Sequence, residues 1–202
     1  HERKSHGTFQ LSVPGHHNVS NALAALAVAN EHGVDPATCR SILPAFHGTR
    51  RRWDRVGEAW GVTIVDDYAH HPTEIAATLS AARNSHNGRV IAIFQPHRYT
   101  RTHLLCNEFG RAFESADLAL ILDVYSAGEN AIEGVSGDLI ADRVRRNGSP
   151  EVCFFPVTNE VIPYLMERLQ PDDLVLTMGA GDVWKLGQPL LDSLKDRSAA
   201  AI

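Results

Sequence analysis

Lysine is nearly missing from this chain. Of 19 basic residues, only Lys4, Lys185 and Lys195 are lysines, and none follows a glycine. That excludes a G-K-[S/T] phosphate loop within these 202 residues, so any ATP chemistry must take its phosphate loop from elsewhere. Cysteine is also scarce. Cys39, Cys106 and Cys153 are widely spaced and form no C-x-x-C, which argues against a disulfide framework and a zinc knuckle. They read as free, half-buried thiols in a reducing cytosol. The longest uninterrupted apolar run, Ala22–Ala29, has eight residues, whereas a membrane helix needs about 20. With no G-x-S-x-G and no cysteine in a polar strand-end loop, a nucleophilic triad fits poorly. The net charge of −5 offers no electrostatic footprint for nucleic acid. No internal repeat occurs. The small-residue run Ser198–Ala201 reads as a fraying end, and the polar opening His1–His6 reads as a cut edge without a secretory leader.

What is present is ordinary for a globular protein: 44% hydrophobic and 21% charged residues. The length suits one domain, or one domain plus a piece of another, with a sizeable core. Charge is uneven. Residues 1–56 hold seven Lys/Arg against four Asp/Glu, and the remainder holds twelve against twenty. Sixteen of the bases are arginine, including Arg50-Arg51-Arg52, and arginine is the forked partner of carboxylates and phosphates. A solvated or linker cluster explains that run equally well.

The first fifty residues read as helix, turn, helix. The Ala- and Leu-rich stretch Asn18–Glu31 precedes Gly33 at a helix stop, and Asp35-Pro36 caps a second helix running to about Phe46. The apolar side of this pair is too small for a core and looks like the end of a larger domain. From Trp53 the rhythm changes. Trp53–Val56 and Val62–Val65 flank Gly57–Gly61 as a hairpin. Further apolar runs stand at Val90–Phe94, Leu118–Leu122, Val152–Phe155 and Leu174–Met178. Helical stretches lie between them, near Thr73–Arg83, Thr102–Ser115, Gly137–Arg146 and Glu160–Leu169, and a last one at Val183–Leu194. Short solid apolar runs alternating with helices predict an α/β fold: a mostly parallel sheet covered on both faces.

Ligands of such sheets bind beyond the carboxyl ends of the strands. The chemically active residues stand at those places: Asp66-Asp67-Tyr68-Ala69-His70-His71, then Gln95-Pro96-His97-Arg98-Tyr99-Thr100-Arg101, then Asp123–Glu129, then Gly179-Ala180-Gly181-Asp182. His70 and His71 are adjacent and point apart, which disfavours a metal pair. His71-Pro72-Thr73-Glu74 reads as a helix start: a cap, proline at the first position, and an acid at the positive end. Arg98 and Arg101, with His97 beside them at a helix entrance, suit a carboxylate or phosphate, against the alternative of a surface salt-bridge cluster. The Gly179/Gly181 pair reads equally as half a dinucleotide fingerprint or as a tight turn.

Four segments resemble the Mur ligase family: Gly15–Ala25 (GHHNVSNALAA), Phe46–Trp53 (FHGTRRRW), Asp66–Glu74 (DDYAHHPTE) and Phe94–Thr102 (FQPHRYTRT). The likeness runs from about Phe9 to Leu194, and the H-R-Y-T-R pattern points to the branch that adds L-alanine. The resemblance implies that residues 1–50 are the carboxyl-terminal helical tail of a central ATP-binding domain. Residues 51–202 would be the Rossmann-like third domain. It further implies an ATP- and Mg2+-dependent ligation of L-alanine to UDP-N-acetylmuramate through an acyl phosphate, in the cytoplasm, with no nucleic-acid or membrane partner. The main Mg2+ ligands would lie outside this chain, which would hold no metal site of its own. His97, Arg98, Arg101, His70 and Tyr68 would surround the reacting groups. His17, Asn18 and Asn21 would meet adenine or ribose, and Asp66 or Asp67 the ribose, unless they organise their loop. Arg52, or less surely Arg51, would meet the nucleotide as the domains close. The remainder of the ligase would be a necessary partner, so the chain alone would be inactive. The alternatives are a free-standing anion- or nucleotide-binding module, and a metal-dependent hydrolase using His70 and His71.

Overall fold

The computed structural model describes residues 5–148 and 150–200. The expectations placed on His1–Lys4 and Ala201 lie outside the described residues. The elements follow in the order α1 (His16–Glu31), α2 (Pro36–Ile42), β1 (Asp54–Ala59), β2 (Val62–Asp67), α3 (Pro72–Ser85), β3 (Val90–Phe94), α4 (Tyr99–Leu104), α5 (Cys106–Arg111), β4 (Leu118–Leu122), α6 (Gly137–Asn147), β5 (Glu151–Phe155), α7 (Val161–Arg168), β6 (Leu174–Met178) and α8 (Gly187–Ala200).

Solid apolar runs became central strands because both of their faces are covered. Every residue of β3, β4 and β6 is buried. The sheet order is β1-β2-β6-β3-β4-β5, parallel except for β1 at the edge. Alternate strand residues divide between two cores. Val65, Ala92, Phe94, Ile121 and Leu176 pack against α3, α5 and α6 through Leu79, Phe109 and Ile140. Ile64, Ile93, Leu120 and Val175 pack against α7 and α8 through Leu165 and Leu190. The expected mostly parallel sheet with helices on both faces is therefore observed. Its consequence for function is positional: β2, β6, β3 and β4 end side by side, and so do the loops that follow them.

Four local expectations needed correction. The hairpin turn is two residues, not Gly57–Gly61. Trp60 and Gly61 both take positive φ (52° and 74°), as a tight antiparallel turn requires, and β1 continues through Ala59. Gly57 is not a turn residue. A Cβ there would meet Leu191 Cδ2 at 2.5 Å, so glycine admits α8 against the sheet. The single helix expected over Thr102–Ser115 is two, broken at Leu105 (φ −110°, ψ 17°), whose side chain packs on the core. The helix from Asp35 stops at Ile42 and tightens to a 3-10 turn over Leu43–Ala45, where Pro44 offers no N–H. The last helix starts only at Gly187, after a 3-10 turn over Val183–Leu186. That helix runs through Ala200, and Ser198 Oγ donates to the Leu194 carbonyl at 3.0 Å.

The helices α1 and α2 contain no buried residue. Leu23 and Val28 on α1 are 62% and 60% exposed, so an apolar side faces outward. At the junction, Gly15 lies against α3, where a Cβ would stand 3.1 Å from that of Ala81.

Candidate active site

The strand ends carry a continuous row of rings. Tyr68 and His70 follow β2, and their ring centroids are 5.2 Å apart, edge to face. His70 and His97 are 6.2 Å apart, across the end of β6 that separates β2 from β3. His97 lies stacked on Tyr125, which follows β4, at 5.6 Å. The backbone holds this last pair. The Tyr125 amide donates to the Pro96 carbonyl and the Arg98 amide to the Tyr125 carbonyl, each at 2.8 Å, extending the β3–β4 pairing past the strands.

Each ring is set by its own loop. His70 Nδ1 lies 2.9 Å from the Tyr68 carbonyl oxygen, which can only accept, so Nδ1 carries the proton. Glu74 accepts from the His70 and His71 amides at 3.0 and 3.1 Å. Together with the His71 ring, which accepts from Thr73 N, it completes a capping box on α3, as the helix-start reading foresaw. Although burial opposes it, those amides and the neighbouring His70 hold the Glu74 carboxyl below the ordinary range. Burial of His97, with the charges of Arg101, His70 and Arg98 near it, pushes its imidazole below the usual histidine range; Glu129 opposes this weakly. His97 is therefore neutral at neutral pH and able to accept or donate one hydrogen bond. Its Nδ1 and the Nη1 of Arg101 are buried without a hydrogen-bond partner among the described residues.

Arg98 adopts φ 75°, which turns it at the start of α4, and its guanidinium is half exposed. Its carboxylate neighbour among the described residues is Glu129, 3.6 Å away. Glu129 also accepts from Thr100 N at 3.0 Å and Thr100 Oγ1 at 2.7 Å, and those bonds hold its carboxyl low. The start of α4 thus already binds a carboxylate of the chain itself. Sequence reasoning noted the Asp123–Glu129 loop without singling out Tyr125 or Glu129. Ala127 and Gly128, which precede Glu129, both take positive φ, and nothing in the sequence marks this at Ala127.

The residues expected at the nucleotide separate into groups. Asn18, Asn21 and Arg52 line one cavity of about 520 Å3, floored by Val13, Ala22 and Phe46. His17 does not line it and lies against Gly15. Asp66 and Asp67 are occupied by protein partners. Asp66 accepts from Arg51 Nε at 2.9 Å and Thr177 Oγ1 at 2.7 Å. Asp67 accepts from the amides of Trp53 and Ala69 at 2.9 and 2.8 Å and from Thr78 Oγ1 at 3.4 Å. Burial nevertheless raises the Asp67 carboxyl above its ordinary range, against the pull of those amides.

The Gly179–Asp182 segment is a tight turn stitched to β3. Gln95 Oε1 accepts from Asp182 N and Val183 N at 2.8 and 3.1 Å, and Gln95 Nε2 donates to Asp182 Oδ1 at 2.8 Å. A Cβ on Gly181 would come 2.3 Å from Gln95 Oε1 and 2.7 Å from Tyr125 Cγ, so the glycine makes room for both. Nothing in the sequence beyond its place after a solid apolar run marked Gln95.

Among the described residues, no three His, Cys, Asp or Glu side chains group as metal ligands. Asp66 and Asp67 already have each carboxylate oxygen hydrogen-bonded within the chain, which suits them poorly as Mg2+ ligands. No described helix is long and apolar enough to cross a membrane.

Arginines, histidines and tyrosines gathered at the ends of parallel strands define an α/β protein with a polar strand rim. The chain belongs to the Mur ligase family: the family model described as "Mur ligase, glutamate ligase domain" matches residues 51–181. It is similar to the UDP-N-acetylmuramate–L-alanine ligase of Syntrophomonas wolfei, 53% identical over 94% of this chain and 41% of that protein. The same-named protein of Pelotomaculum thermopropionicum is 47% identical over 94% of this chain. Among solved structures, the UDP-N-acetylmuramate-alanine ligase MurC of Thermotoga maritima superposes with a TM-score of 0.79 at 29% identity, covering 94% of this chain and 40% of that one. A murein peptide ligase of Psychrobacter arcticus gives 0.67 at 26%, covering 93% and 38%. The chain spans about 41% of the length of the curated relatives it matches.

Proposed function

We propose that this chain is the carboxyl-terminal part of an ATP-dependent acid–amino-acid ligase of the cytoplasm that joins L-alanine to UDP-N-acetylmuramate in peptidoglycan synthesis. In this reading residues 1–50 end a central ATP-binding domain and residues 51–202 are the third domain. The observation that carries it is the row Tyr68–His70–His97–Tyr125 with Arg98 and Arg101 beside it.

The chemistry explains why such a row is needed. Condensing a carboxylate with an amine is uphill in water, so the carboxylate is first activated by phosphoryl transfer from ATP. The two reacting groups are both anions and repel each other. Arg98 and Arg101 lower that repulsion by supplying fixed positive charge where the anions meet. His97, neutral because it is buried beside cations, hydrogen-bonds there without adding a titrating charge. Tyr68 and His70 form the wall opposite. The alanine nitrogen then attacks the acyl carbon, phosphate leaves, and the ammonium-derived proton passes to solvent or base. Glu129 keeps Arg98 oriented until a substrate anion competes for it.

Asn18, Asn21 and Arg52 contact the nucleotide on the other side, and Asp66 and Asp67 organise the loop between. Mg2+, held by ligands in the rest of the ligase, would neutralise charge on the ATP phosphates. Closing the two parts brings cavity and row together.

The test is phosphate release by the full-length polypeptide with ATP, Mg2+, UDP-N-acetylmuramate and a panel of amino acids. Release that requires both the muramyl substrate and L-alanine is expected. Release without dependence on either, or none, contradicts the proposal. The free-standing binding module would bind nucleotide and turn over nothing.

A further inference from the structure

Two neighbouring arginines face opposite ways. Arg52 is exposed and lines the cavity with Asn18 and Asn21. Arg51, in the left-handed backbone region (φ 60°), turns its side chain inward. There its guanidinium makes a three-way clasp. Nε donates to Asp66 Oδ2 at 2.9 Å, Nη2 to the Gly179 carbonyl at 2.7 Å, and Nη1 to the Gly181 carbonyl at 3.4 Å. The guanidinium carbon lies 5.0 Å from the centroid of the Tyr68 ring. The backbone closes the loop: Tyr68 N donates to the Arg51 carbonyl at 2.7 Å.

We propose that Arg51 is a positioning residue for the ligase reaction, tying the segment that leads out of the nucleotide cavity to the Tyr68 end of the ring row. The proposal rests on the function proposed above and assigns Arg51 a place within it. Three groups must be held together for the row to face one anion: the end of β2 that carries Tyr68 and His70, the turn after β6, and the linker before β1. Arg51 touches all three. A forked, planar cation serves this because it donates from three separate nitrogens while lying over an aromatic ring; a lysine ammonium gathers its donors on one nitrogen and lacks the planar fork that spans all three acceptors. Arg51 does not line the cavity with Asn18 and Asn21, and its donors are engaged by Asp66, Gly179 and Gly181. Its left-handed backbone also sends Arg52 to the opposite side, and one local conformation thus sets both arginines.

The test is Arg51→Lys in the full-length polypeptide, alone and combined with Tyr68→Ala. Lysine keeps a charge opposite Asp66, so the fold is retained. The expected result is a fall in kcat of more than about tenfold with the KM for ATP unchanged. In the Tyr68→Ala background the same substitution should add little further loss, because Arg51 acts through that ring. A residue needed only for stability would lower the melting temperature, leave kcat per folded enzyme intact and give additive losses; that outcome overturns the proposal. Should Arg51→Lys fail to fold, Arg51→Gln with Asp66→Asn, which leaves no buried charge unpaired, is measured the same way. Independently of turnover, the His70 imidazole resonance should shift in Arg51→Lys, and an unmoved resonance overturns the role. If the unsubstituted polypeptide does not ligate, the proposed function fails while that resonance still decides on Arg51.

Discussion

His97 and Tyr125 lie with ring planes 13° apart and centroids 5.6 Å apart, joining the ends of β3 and β4. The stack buries one side of the imidazole while Arg101, His70 and Arg98 bias it against a further positive charge. A histidine placed this way is kept neutral among cations, which suits it to meet an anion's oxygen without competing for protons.

A pH dependence follows. His97 has a folded pKa below its unfolded value, so the unfolded chain binds the proton more readily. Its contribution to stability is present above the ordinary histidine range and is lost as pH falls through the lowered folded value. Activity is expected to hold to a more acid pH than an unperturbed histidine would allow, and His97→Asn should remove that acid limb from a kcat/KM profile. A limb unchanged in the variant would assign it to another group.

The cavity lined by Asn18, Asn21 and Arg52, proposed to take the nucleotide, gives a different signature. Asn21→Ala or Arg52→Ala should raise the KM for ATP by about two- to tenfold per lost hydrogen bond, with the KM for L-alanine unchanged. Steady-state kinetics with each substrate varied in turn would show it. A rise confined to alanine would move these residues to the other site.

Glu74 is predicted to matter for stability more than for turnover. Glu74→Gln keeps an acceptor for the capping box of α3 but removes the negative charge at its positive end, and should cost about 0.3–1 kcal/mol, read by denaturant unfolding. Because its folded carboxyl is held low, the loss relative to the parent should be present near neutrality and shrink as pH falls through that lowered range.

The chain by itself should fold and not ligate. Circular dichroism should report mixed α/β structure with a cooperative melt, while phosphate release with all substrates stays at background. Ligation by the isolated chain would remove the need for a partner domain.

Much of this architecture was legible because its cause is local. The runs Val90–Phe94, Leu118–Leu122 and Leu174–Met178 are apolar throughout, and each became a strand with the expected boundaries. His71-Pro72-Thr73-Glu74 carried its own cap chemistry and became the start of α3. The errors came from long-range causes. Gly57 read as a turn because its reason, the approach of Leu191 from α8, lies far along the chain. The sequence favours Arg52 over Arg51 as a nucleotide contact but carries no sign that Arg51 turns inward, because the cause is the left-handed φ of Arg51. Asp66 and Asp67 read as ribose contacts or as loop organisers, and the bonds from Thr177, Arg51, Trp53 and Ala69, which favour the second role, are set by the fold. Gln95 acts on residues far ahead in sequence, so no spacing announces it.

The most direct test of the strand-rim account is the turnover of Arg98→Ala in the full-length polypeptide. A half-exposed guanidinium contributes little to the fold, so the melting temperature should stay near the parent's. Loss of its charge where two anions meet should lower kcat by well over about tenfold. Unaltered turnover in a folded Arg98→Ala enzyme would contradict the account.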